Sequence, residues 1–217
     1  MLFINVMDLI GTVAFAVSGV LVGVKNRLDL FGLLVLAIIT ASGGGLIRDV
    51  IISKDLPIFF TQPRYLITII LSTVATCVAF KFIKRMMFLI KVFDAIGLGA
   101  FTIITAYKAM QLDIPLIGII FVAVLTGVGG GILRDIMVND VPLVFKSEIY
   151  AMASIAGALI FYFLYQLVEV NLNIYLCIVI IFLIRMVSIH FNLNLPVIKT
   201  SNEEVEGQSQ DKFNQSL

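Results

Sequence analysis

The chain has 217 residues, of which 60% are apolar and only 13% are charged. Soluble domains carry about 25% charged residues, so this chain lacks the polar surface of a water-soluble globule, and its formal net charge of +1 excludes the basic field of a nucleic-acid-binding protein. Cys77 and Cys177 sit in apolar runs without metal-type spacing, and one histidine, His190, leaves no zinc cluster and no Ser–His pair, so neither an enzyme nor a resident cofactor or metal is expected.

In chain order, seven apolar runs predict an all-α, multi-pass membrane protein with spans at 4–24, 31–52, 64–82, 88–108, 116–138, 149–168 and 172–189. Each is close to the length of about 20 residues that crosses some 30 Å of hydrocarbon. The start, Met-Leu-Phe-Ile-Asn-Val, has no basic n-region, so the first run reads as a retained helix. The connections are short, and residues 199–217 turn polar and read as a disordered tail. Eleven of the fifteen Lys and Arg residues fall on one side of this layout, among them Lys25, Arg27, Lys81, Lys84 and Arg85; Arg48, Lys54, Arg64 and Lys108 fall on the other. The positive-inside rule then places the N-terminus outside and the C-terminus in the cytoplasm.

The chain also repeats itself. At an offset of 86 residues, 8–55 aligns with 94–141 without a gap, with 14 of 48 positions identical; about four are expected for so biased a composition. The matches include Asp8 with Asp94, Gly11 with Gly97, Phe15 with Phe101 and Thr40 with Thr126. After a one-residue slip, Pro57 pairs with Pro142, Phe60 with Phe145 and Tyr65 with Tyr150. Each copy holds three spans, an odd number, so consecutive copies cross the membrane in opposite directions. The expected organisation is a first repeat at 1–87, an inverted second at 88–170, a seventh helix at 171–198 and the tail.

The densest match is Gly43-Gly44-Gly45 followed by Arg48-Asp49, and Gly129-Gly130-Gly131 followed by Arg134-Asp135. Each triplet falls near the middle of its span, spans two and five. Glycine costs about 1 kcal/mol of helix propensity relative to alanine, so three in succession predict a kink or unwound turn whose freed backbone groups line a polar path. Close helix packing is the other reading. Ionisable groups at membrane depth must be paired or hydrated. Adjacent helical residues do not face each other, so each arginine is expected to pair across the bundle, with Asp8, Asp94 and Lys108 as candidate charge partners. Asp49 and Asp135 are candidates to attract cations, and the arginines to hold or gate the bend; the alternative is that all four anchor helix ends at the interface. Thr40, Ser42 and Thr126 are candidate pore hydroxyls, although hydroxyls in membrane helices commonly bond back to their own helix. Lys108 is also placed to snorkel to the outer face.

These two copies of Gly-Gly-Gly-x-x-Arg-Asp, 86 residues apart in a seven-span chain, resemble the prokaryotic TRIC (trimeric intracellular cation) channel family, also labelled glycine-transporter-like. The resemblance covers about residues 4–190. It implies a homotrimer in the bacterial or archaeal plasma (inner) membrane, in contact with lipid, each protomer carrying a pore lined by kinked helices two and five. It also implies permeation of K+, with limited selectivity over Na+, and only weak, transient ion binding. The basic lipid-binding motif of animal members is not intact here. The residues alone leave one alternative, a secondary transporter of a small neutral solute such as glycine, because inverted repeats with broken helices also serve alternating access.

Overall fold

The structure is a computed structural model that describes residues 2–53, 55–83, 85–146, 149–191 and 193. The tail expected at 199–217 lies outside the described residues, as do Lys54 and Lys84. The fold is all helical among the described residues: α1 (Leu2–Lys25), α2 (Leu30–Ile52), α3 (Ile58–Thr61), α4 (Pro63–Ala79, prolonged by a 3-10 turn, Phe80–Phe82), α5 (Met86–Met110), α6 (Leu116–Met137), α7 (Leu143–Lys146), α8 (Ile149–Leu164) and α9 (Val170–Phe191). The expected spans correspond to α1, α2, α4, α5, α6, α8 and α9. Six of these are long and apolar enough to cross a membrane, whereas α8 has only 16 residues, a rise of about 24 Å. The expected sixth span is therefore too long: the chain leaves the helix after Leu164 and turns over 165–168.

The helix ends explain themselves locally. Asp29 caps α2, its carboxylate accepting from the Gly32 amide at 2.7 Å. Glu169 caps α9 by accepting from the Leu172 amide at 2.9 Å, and Pro63 opens α4 in the first-turn position that needs no N–H. Arg27 and Asp113, 86 residues apart, are left-handed, with φ of 58° and 53°. Behind them Leu28 N bonds Gly23 O at 3.0 Å and Ile114 N bonds Ala109 O at 3.3 Å, so α1 and α5 end in the same Schellman-type turn.

The core is built by reciprocal contacts between the copies. A Cβ on Gly11 would press on Ala100 and Phe101, and one on Gly97 on Phe15; the Phe15 and Phe101 rings meet at 5.3 Å. Residue numbers rise along α1 as they fall along α5, so these helices are antiparallel, and the two contacts exchange under the 86-residue offset. A pseudo-two-fold axis accordingly passes between the repeats. Outward faces carry large apolar side chains, such as Ile117 at 83% exposure, as a lipid-facing surface requires.

Candidate functional site

The axis also passes between the glycine triplets. A Cβ on Gly44 would collide with the carbonyl oxygen of Thr126, and one on Gly130 with that of Thr40. These two contacts are again exchanged by the offset. The triplets thus let α2 and α6 cross backbone to backbone, as small residues do at membrane-helix interfaces. The unwound turns expected at Gly43–Gly45 and Gly129–Gly131 are not present in this conformation: both helices run through without interruption. Packing explains it. The missing side chains are used for close approach, and the backbone groups stay in the helical ladder.

On either side of this crossing lies a buried polar cluster, one near the start of α1 and the other near the start of α5. In the first, Arg48 Nε donates to Asp49 Oδ1 at 2.7 Å, and Arg48 Nη1 lies 3.6 Å from Asp8 Oδ1. The Tyr65 hydroxyl donates to Asp8 Oδ2 at 2.6 Å, and Lys108 Nζ stands 3.9 Å from the same oxygen. In the second, Arg134 Nε donates to Asp135 Oδ1 at 2.8 Å, while Arg134 Nη1 donates to both Asp94 Oδ1 and Ser18 Oγ. The Arg185 guanidinium lies over the Tyr150 ring, 4.5 Å from its centre. Arg134 and Asp94 are 0% exposed, a burial that charged groups tolerate only when paired.

The expectation that each arginine pairs across the bundle rather than with its neighbour is half corrected. Both pairings occur at once, because the long guanidinium has several donors: Nε folds back to the adjacent aspartate while Nη1 reaches across. The second oxygen of each aspartate is engaged too. Asp49 Oδ2 accepts from the Ile58 amide and Asp135 Oδ2 from the Leu143 amide, each at 2.9 Å. Both amides start short helices, α3 and α7, directly after Pro57 and Pro142. The Arg-Asp pair is therefore a clamp that ties the end of each long helix to the strap that follows it.

The structure brings Asp8, Arg48, Asp49 and Lys108 together at one end, and Asp94, Arg134 and Asp135 at the other. The three candidate hydroxyls bond back to their own helices: Thr40 to Leu36 O at 2.6 Å, Ser42 to Ile38 O at 2.6 Å and Thr126 to Val122 O at 2.7 Å. Sequence reasoning missed Ser18, Arg185 and the site role of the tyrosines. Tyr65 and Tyr150 could have been found, since they are repeat-related; Ser18 could not, because its counterpart is Ile104. A cavity of about 20 Å3 lies among Asp8, Thr12, Ser42, Gly45, Arg48 and Tyr65, room for about one water.

The family model described as "Glycine transporter" matches residues 5–81 and again 91–166. The chain is 37% identical to the UPF0126 inner membrane protein YadS of Escherichia coli K12 over 195 residues, covering 88% of this chain and 93% of that one. It is 41% identical to a UPF0126 membrane protein of Deinococcus radiodurans over 154 residues, 70% and 72% of the two chains. Among solved structures, a prokaryotic TRIC channel crystallised in 0.5 M KCl superposes with a TM-score of 0.85 at 30% identity, over 89% of this chain and 99% of that one. The TRIC trimeric intracellular cation channel orthologue from Rhodobacter sphaeroides gives 0.85 at 27% identity, over 89% and 100%.

Proposed function

This chain belongs to the prokaryotic TRIC channel family, and from that membership we propose that it is a monovalent cation channel, permeable to K+, with a pore inside each protomer along the α2–α6 crossing. The observation that carries this reading is the reciprocal seating of Gly44 on Thr126 and Gly130 on Thr40, with a buried polar cluster at either end. A crossing free of side chains, with a polar cluster on either side, supports a narrow cation path that is shut in this conformation. Parting α2 from α6 at the triplets, where helix propensity is weakest, exposes the Thr40 and Thr126 carbonyls to a passing cation. In this reading Gly43–Gly45 and Gly129–Gly131 are the sites of bending. Arg48, Asp49, Arg134 and Asp135 hold the helix ends through that movement. The chain has no TVGYG-type filter, so discrimination between K+ and Na+ is modest.

The protein assembles as a homotrimer in the inner membrane, by analogy with the Rhodobacter sphaeroides relative, a trimeric channel, with the N-terminus outside by the Lys/Arg bias. The transport of a neutral solute such as glycine, which an inverted repeat and the family description would also suit, is less favoured, because the helices are unbroken at the triplets and the cavity beside Gly45 has room for about one water. Recording from purified protein in planar bilayers tests the proposal. Unitary K+ currents that reverse near the Nernst potential are expected; saturable glycine uptake without such currents overturns it.

A further inference from the structure

The last long helix, α9, has no partner in the repeat, and its seat shows what the first repeat leaves uncovered. On the second repeat α9 lies against α5 and α8. A Cβ on Gly99 would press on Ile178, and one on Gly157 on Ile181. Ile103 belongs to the same apolar cluster as the fully buried Ile181, and Phe3 and Met7 pack against it. Exchanged between the repeats, Gly99 and Ile103 become Val13 and Val17, Phe3 and Met7 become Leu89 and Phe93, and Gly157 becomes Ser72. Those five counterparts line one groove of about 570 Å3 between α1, α4 and the start of α5. The seat that α9 fills on one repeat is thus an open groove on the other.

The length and charge of the groove say what suits it. It follows α4 from Leu71 to Ala79, about 12 Å, close to the depth of one leaflet at about 15 Å. A second spanning helix needs twice that length, whereas the acyl chain of one leaflet does not. The α4 wall is built of small residues such as Ala75 and Ala79, and the Thr76 hydroxyl is spent on Ser72 O at 2.7 Å. The groove ends at Ile83, between Lys81 and Arg85, both exposed. Neither takes part in the ion pairs found among the described residues, and no acidic residue occurs between Asp55 and Asp94. The corresponding turn after α8, at 165–169, has no basic residue and one acidic residue, Glu169. Positive charge therefore collects beside the open groove and not beside the filled one.

We infer that this groove is a binding site for one anionic glycerophospholipid per chain, an acyl chain lying between α1 and α4 where the counterpart of α9 is missing and the headgroup phosphate set against Lys81 and Arg85. Lipid tails are as apolar as the groove, so burial alone does not select an occupant. The phosphate selects it, since each basic residue at a membrane surface favours anionic lipid by about fivefold, and the groove fixes where it sits. The site stands whether or not the α2–α6 crossing conducts ions.

Native mass spectrometry of the delipidated protein, titrated with phosphatidylglycerol or with phosphatidylcholine, tests the site. One phosphatidylglycerol per chain is expected to bind ahead of any other lipid and to survive collisional activation, and phosphatidylcholine is not. Lys81→Gln combined with Arg85→Gln should weaken phosphatidylglycerol binding by about thirtyfold, the product of two fivefold terms. Lys25→Gln with Arg27→Gln removes two exposed charges on the same side of the membrane and should leave binding unchanged. All four positions are exposed, so folding is not at stake. Ala75→Trp or Ala79→Trp, which fills the groove from its α4 wall and keeps both charges, should also displace the lipid. Equal retention of the two lipids, unchanged binding in the Lys81 and Arg85 variant, or an equal loss in the Lys25 and Arg27 variant overturns the proposal. A change in the number of chains per complex on Ala75→Trp or Ala79→Trp also overturns it, because a second copy of the chain would then occupy the groove.

Discussion

Asp8 and Asp94 occupy equivalent positions in the two copies and have unequal surroundings. Asp94 is bonded to Arg134 where neither is exposed, whereas Asp8 shares its charge with Tyr65, with Arg48 at 3.6 Å and with the partly exposed Lys108 at 3.9 Å. Removing one charge of a fully buried pair leaves the other uncompensated, at a cost of about 3–5 kcal/mol. Asp94→Asn is therefore expected to lower the detergent-solubilised melting midpoint by roughly 6–20 °C, at about 2–4 °C per kcal/mol for a chain of this size. Asp8→Asn retains an acceptor for Tyr65 and leaves Arg48 its bond to Asp49 and Lys108 partly exposed, so a loss of about 1–2 kcal/mol is expected. Equal shifts in a thermal-stability assay would contradict the difference in pairing between the two aspartates. The pairing of Arg48 and Arg134 with their own neighbours was not legible from helical spacing, which describes where side chains start and not how far a guanidinium reaches.

At the scale of the element, the triplets show how one sequence feature supports two structural readings. Low helix propensity says the helix can break; absent side chains say another helix can approach. In this conformation the second wins, because α2 and α6 satisfy each other's surfaces without giving up backbone hydrogen bonds. The three glycines are not equal. A Cβ on Gly44 meets the Thr126 carbonyl, while one on Gly45 meets nothing nearer than the Arg48 guanidinium at 3.8 Å. Gly44→Ala is thus expected to force the crossing apart, with loss of thermal stability and altered conductance. Gly45→Ala should be neutral or stabilising by up to about 1 kcal/mol, the gain in helix propensity. Similar behaviour of the two variants in melting and bilayer assays would show that the crossing is not held by Gly44. The short helices α3 and α7 escaped the sequence reading because four residues carry no periodic signal, although Pro57 and Pro142 marked where each begins.

At the scale of the whole molecule, the inverted repeat places the two clusters at opposite ends and leaves α9 without a counterpart. The proposed trimer is testable directly: native mass spectrometry of detergent-purified protein should give three times the 23.9 kDa chain mass, and a monomer as the sole species would refute it. The sequence by itself determined a membrane-embedded helical protein, its apolar runs and the 86-residue repeat with its paired glycines and charges, because lipid demands continuous apolar helices and a repeat is a property of order along the chain. Only the tertiary structure decided which atoms the charges bond, that the triplets serve a crossing in this conformation, and that Ser18 and Lys108 make the two ends unlike. Those outcomes depend on distances between residues from 40 to 116 positions apart, which no local pattern encodes.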